Sequence, residues 1–262
     1  MVLALRSKEW EMNVLKVNHR RSQNGSVLIV VLVMLIVIAI AGTWAIRSSI
    51  TSLNISTNAQ ASSLLVQNSD SVFFTLENKT SNALQFAEMR IGDGMLAYAL
   101  RPENKGKELV FCVRGNVTDN FSGSRIASSV YWQNKKIVNT ELGQNGFCQT
   151  TRGDFISGRQ AVMTQVTVRA ADTDRDWEHM MEGDDKESSK STGIQRVVIT
   201  ATSLLPNLSS ASVQQVNNCL KNHTSFVDPL VENDTVTDCL ARNNVPYSTQ
   251  DMEYSLRSLK AS

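Results

Sequence analysis

Cys112, Cys148, Cys219 and Cys239 are the side chains in this chain best suited to covalent chemistry. No pair has the C-x-x-C spacing of a metal or redox site, so oxidation to two disulfides is expected. Four cysteines allow three pairings. Cys112 with Cys148 and Cys219 with Cys239 is preferred because nearer partners close smaller loops, each bridge worth roughly 3 to 4 kcal/mol; the other pairings stay open. Asp172-x-Asp174-x-Asp176 places alternating oxygens as a calcium loop begins. Trp177, however, stands where the sharp turn needs glycine, and Gly183 occupies the twelfth position, where a bidentate glutamate belongs. A solvated acidic loop from Asp172 to Gly193 is the better account, and no metal is expected. Histidine is scarce: His19, His179 and His223 are read as surface residues. There is no G-x-S-x-G elbow to present a nucleophile, and no GxxxxGK[ST] or GxGxxG loop to cradle phosphate. Gly92-Asp93-Gly94 is most simply a turn. Neither catalysis nor a cofactor is expected.

The elements that must carry these residues begin with an apolar run. Arg20-Arg21-Ser22-Gln23-Asn24-Gly25-Ser26 leads directly into Val27 to Ile40, which has no polar side chain, and no charge occurs between Arg21 and Arg47. Such a run is long enough to cross a hydrocarbon layer of about 30 Å at about 1.5 Å per helical residue. In a secretory signal peptide the small-residue cleavage step follows the apolar region; here Gly25-Ser26 precedes it. The basic flank belongs on the cytoplasmic side, which sends everything after Arg47 outside. All four cysteines are on that outer side, which in a bacterium is oxidising.

Basic flank, glycine step and apolar run in that order resemble the type III leader of type IV pilins and of type II secretion pseudopilins. The resemblance covers roughly Arg20 to Glu77. It implies that a prepilin peptidase cuts after Gly25, that Ser26 becomes a methylated N-terminus, and that Arg20 and Arg21 are the retained cytoplasmic flank. Members of the family usually carry glutamate at mature position five, where this chain has Val30. Its absence is a habit of PilX-type minor pilins and GspK-type pseudopilins. The resemblance further implies an α+β, pilin-like fold, and a Cys219–Cys239 bridge bounding a variable C-terminal region. The implied function is a structural subunit that primes or caps a type IV pilus for twitching, attachment or DNA uptake. Its implied partners are the peptidase, other minor pilins, the major pilin, the inner membrane and a tip adhesin. The head would face the periplasm before assembly and the cell surface afterwards. Competing readings are an uncleaved anchor in which Gly25 is merely flexible, a type II secretion pseudopilin, and a membrane-anchored periplasmic enzyme or binding protein.

Along the chain this gives a leader at 1–25, a transmembrane or assembly helix at 26–46, its exterior half at 47–90 and a β-rich head at 91–262 that includes the Cys-bounded region 219–239. No proline precedes Pro102, so a helix can run unbroken from Ser26 to about Glu77. Ile50, Leu53, Ala61, Leu64, Leu65, Val72 and Leu76 form one helical stripe expected to pack on the head. Strands are expected at Glu108–Val113, Ala127–Trp132, Lys135–Asn139, Ala161–Ala170 and Gln195–Ser203, with Gln133-Asn134 as a tight connection. They should form an antiparallel sheet with one face buried. Helices are expected around Val213–Leu220 and Val236–Ala241, then a closing segment Tyr247–Leu256. The Tyr131-Trp132 pair suggests core and cross-strand packing, and the Asn-x-Ser/Thr triplets at Asn78, Asn116 and Asn222 carry little weight in so Asn-rich a chain. Removing residues 1–25 takes away five of 26 basic and two of 25 acidic side chains, leaving a nearly neutral remainder. Lys105/Lys107 and Lys135/Lys136 fall short of a phosphate-binding face, so no direct nucleic-acid contact is expected.

Overall fold

The computed structural model describes residues 26–117, 119–156, 159–171, 194–228 and 231–257. The leader, with Arg20, Arg21 and Gly25, and the acidic loop 172–193, with His179, lie outside the described residues.

Helix α1 spans Ser26–Ser81, a run of 56 residues. Two compact units divide the chain at Ile55 and Ser56. In the first unit every described side chain of α1 is exposed. In the second unit Leu65, Ser69, Val72, Phe73 and Leu76 recur at three- and four-residue steps and are buried, which is the stripe of a helix lying on a core. Ala61 packs beside Leu65, Val162 and Leu205. The expected stripe was longer. Ile50, Leu53 and Leu64 are 54%, 65% and 39% exposed, because periodicity identifies a face but not how many turns of it are covered.

The expected exterior segment 47–90 is two helices. Asn82 is extended, with φ −91° and ψ 116°, and its side chain accepts hydrogen bonds from the backbone N–H groups of Leu84 and Gln85, capping α2 at Ala83–Arg90. The chain then turns through Gly92 at φ 56°. At Gly94 a Cβ would lie 2.3 Å from the Glu88 carbonyl oxygen. That close approach lets α3, Met95–Ala99, tuck its Met95 and Leu96 into the core.

Six strands follow: β1 Glu108–Val113, β2 Ser128–Gln133, β3 Lys136–Val138, β4 Met163–Ala170, β5 Ile194–Leu204 and β6 Tyr247–Arg257. They form one sheet in the order β3-β2-β1-β4-β5-β6. Every pairing is antiparallel. Two three-strand meanders therefore meet where β1 pairs with β4. The β2–β3 turn sits one residue later than expected: Gln133 pairs with Lys136, leaving Asn134 and Lys135 as the turn, both at positive φ.

The sheet is buried on both faces, not on one. Leu109, Phe111, Val166, Val168, Val197, Ile199 and Ala201 meet Val72, Phe73, Leu76, Met89 and Met95 on the helix side. Alternate residues Cys112, Met163 and Leu204 meet a second layer: Val216, Cys219 and Leu220 of α4 (Val213–Lys221), and Val236, Cys239 and Leu240 of α5 (Val236–Arg242). Both helices begin with a complete capping box, Ser212 with Gln215 and Thr235 with Asp238. Near-continuous burial along β1 and β4 is what two covered faces require.

The fold is α+β and pilin-like: a long N-terminal helix whose second half lies on an antiparallel sheet. Cys112–Cys148 and Cys219–Cys239 are both disulfide-bonded, and no described cysteine is free. All four belong to the second core. The paired replacement Cys219→Ser with Cys239→Ser is expected to lower stability by about 2–5 kcal/mol, read as an earlier thermal transition of the detergent-solubilised protein.

Candidate functional site

Two features of the described residues stand out, one in each unit. The first is the surface of α1 from Val27 to Ile46, uncharged throughout. Val30 is 56% exposed and Trp44 76%. This helix is long and apolar enough to cross a membrane, and none of its most apolar stretch is buried. A contiguous apolar surface of that extent marks contact with lipid or with another protein. Its few polar groups look inward. The Thr43 hydroxyl donates to the Ile40 carbonyl at 2.9 Å, and the Thr51 hydroxyl donates to the Arg47 carbonyl at 3.0 Å. Neither hydroxyl demands water, which suits an apolar surrounding. Trp44 and Arg47 close the run with the residue types that settle at a membrane–water boundary.

The second feature lies on the far face of the sheet. Glu108 opens β1 with its side chain wholly buried. The Ser225 backbone N–H donates to its Oε2 at 2.8 Å, and the Ser225 hydroxyl donates to Oε1. Thr167 of β4 donates in turn to the Ser225 hydroxyl at 3.0 Å. Arg169, also on β4, places its guanidinium over the Phe226 ring at 4.6 Å. Burial pushes the Glu108 carboxyl up to about 7, against the Ser225 hydrogen bonds and the Arg169 charge, which pull it down.

Glu108 therefore ties the segment inside the Cys219–Cys239 ring to the sheet, and neighbours repeat the tie. Gln165 donates to the Leu220 carbonyl at 2.9 Å, and Asn139 donates to the Lys221 carbonyl at 3.0 Å. The Trp132 indole donates to the Thr224 hydroxyl at 3.3 Å, and the Val236 N–H donates to the Thr224 carbonyl at 3.0 Å. Trp132 is thus a half-buried polar contact with the C-terminal layer. Tyr131 carries Lys107 over its ring at 4.8 Å. The Cys112–Cys148 bridge has its own brace. Asp154 is 5% exposed; it accepts from Arg114 Nε at 2.7 Å, from Arg114 Nη2 at 3.2 Å and from the Gln149 N–H at 3.1 Å.

His223, expected at the surface, is half-buried. Its Nδ1 has no hydrogen-bond partner, and burial, with the Arg242 charge second, lowers its proton affinity. Among the described residues no three His, Cys, Asp or Glu side chains gather to hold a metal. Sequence reasoning passed over Glu108. The available signal was a lone carboxylate at the head of the apolar strand Leu109–Val113, but nothing local tells whether such an end is wet or dry.

A carboxyl with its folded-state pKa raised from 4.5 to about 7 contributes stability below the unfolded value and loses it as pH rises through 7. Glu108→Gln, which stays neutral, should gain on the wild type by about 3 kcal/mol between pH 5 and pH 8. Denaturant titrations at the two pH values check this, and parallel curves would contradict it. Set against protein-family models, curated proteins and solved structures, the chain matches none of them.

Proposed function

We propose that this chain is a minor pilin of the PilX type, a non-enzymatic structural subunit trimmed by a prepilin peptidase and then built into the base or tip of a type IV pilus. The observation that carries the reading is the continuous helix α1, wholly exposed and uncharged from Val27 to Ile46 and buried on an antiparallel sheet from Leu65 to Leu76, with Gly25-Ser26 at its start. Lateral association is the mechanism. Lipid covers the apolar surface before assembly, and neighbouring pilin helices cover the same surface afterwards, so van der Waals packing replaces lipid contact with little change in hydrophobic free energy. The head selects the neighbours.

Val30 refines the role. A carboxylate at that position would be costly in a helix bundle unless it met a positive partner, such as the terminal amine of a neighbouring subunit. Valine makes no such demand, which suits a priming or tip position better than a repeated shaft position. Lack of that carboxylate is equally a habit of GspK-type pseudopilins, so type II secretion is the second reading; the neighbouring genes separate the two.

In cells with an active prepilin peptidase, N-terminal sequencing of the membrane-purified protein should give a methylated Ser26. A start at Met1 would overturn the reading and leave an anchored exterior domain. Val30→Glu should alter subunit association and the number of pili per cell; unchanged values for both would remove the role given to position five.

A further inference from the structure

The two edges of the sheet carry unpaired charge of opposite sign. At one edge α1 and β6 enclose a groove of about 390 Å³, lined by Asp70, Phe73, Phe74 and Glu77 from the helix and by Gln250 and Met252 from the strand. Phe73 and Met252 form its floor within the helix-side core, while Phe74 is 66% exposed. Asp70 and Glu77 stand exposed on its helix wall. Neither belongs to an ion pair among the described residues. Strand β6 is the last of the sheet, so no further described strand covers its outer side.

At the opposite edge the β2–β3 hairpin turns through Asn134 at φ 50° and Lys135 at φ 61°. A two-residue turn with both φ positive favours Asn-Gly, because glycine has no Cβ to strain there. Lysine holds the glycine position instead. Lys135 and the next residue, Lys136, are both exposed and neither joins an ion pair among the described residues. The sheet therefore ends in a cationic tip on one side and an acid-rimmed, aromatic groove on the other.

We infer that this chain associates head to tail with a second copy of itself, the Lys135–Lys136 tip of one copy entering the Asp70, Phe74 and Glu77 groove of the next. The two patches lie at opposite ends of a six-stranded sheet, so they cannot satisfy each other within one molecule. A lysine stem can lie along apolar surface while its ammonium reaches the carboxylates, and the Phe74 face adds a cation–π contact. Joining two different surfaces makes the contact heterologous, so a pair leaves one groove and one tip unoccupied. This inference stands apart from leader processing and from the pilin reading, and its test does not depend on either.

Two differently tagged full-length copies, solubilised in detergent, provide the test through sedimentation and co-purification. The wild type should self-associate at low salt and weaken as salt rises, because exposed charges are screened within about 10 Å at 0.1 M. Lys135→Glu with Lys136→Glu, or Asp70→Lys with Glu77→Lys, should each weaken self-association about tenfold. Mixing the two reversed proteins should restore pairing. Lys135→Gly separates contact from fold: it should keep or raise thermal stability at the positive-φ turn while weakening association. Failure of the wild type to self-associate, reversed variants that associate like the wild type, a mixture that does not recover, or a Lys135→Gly protein with undiminished association would each overturn the proposal.

Discussion

The architecture depends on one seam, where the Leu65–Leu76 stretch of α1 meets the sheet. Leu65, Val72, Phe73 and Leu76 provide the apolar part and lose nearly all contact with water, which at about 25 cal/mol per Å² is the main attraction between the layers. A polar pin runs through it. Ser69 is fully buried, its hydroxyl 2.8 Å from that of Ser203 on β5, which lies 2.7 Å from the Thr164 hydroxyl on β4. Such a chain adds on the order of 1 kcal/mol per bond. Its larger effect is on register, since sliding the helix would strand the buried Ser69 hydroxyl, while Ser203 and Thr164 would keep only each other. Burial attracts the helix to the sheet, and the serine–threonine chain selects where it stops.

The far face of the same sheet solves a different problem. The C-terminal layer consists of two short helices, α4 and α5, of 9 and 7 residues, too short to be stable alone in water. Capping boxes satisfy their first N–H groups, the Cys219–Cys239 bridge shortens the chain's freedom between them, and Glu108, Gln165, Trp132 and Asn139 hold the intervening segment to the strands. Glu108 is the least comfortable member of that set. As a carboxylate it loses solvation, and as a neutral acid it still keeps the Ser225 contacts. The grip on the C-terminal layer is therefore sensitive to proton concentration in a way that the apolar grip on α1 is not.

Those two grips bear on the proposed role in complementary ways. An assembly subunit has to present an apolar helical surface, and every described α1 side chain up to Ile55 is exposed. It also has to present a head of defined shape. A sheet buried on both sides, braced by two disulfides and by the Arg114–Asp154 pair, meets that need with hydrogen bonds and covalent links. The contact inferred above uses the rim of the sheet, where the charged edge residues are.

Much of this was readable from local pattern. The apolar run after Ser26, the absence of proline before Pro102 and the alternation in Glu108–Val113 or Gln195–Ser203 each reflect forces acting between residues a few positions apart. The helix start and the strand positions followed to within a residue or two, as did the two C-terminal helices. Composition and spacing also favoured the two nearer-partner disulfides over their alternatives. Tertiary structure decided the rest. Asn82 breaks α1 from α2 because its side chain caps the next helix, although its neighbours favour continuation. Ile50, Leu53 and Leu64 match the buried stripe in period yet stay exposed, because burial depends on what is brought opposite. Glu108 loses its water only when residues more than a hundred positions apart, Glu108 and Ser225 among them, are folded together. Periodicity is a property of neighbours along the chain, whereas coverage and solvation are properties of neighbours in space.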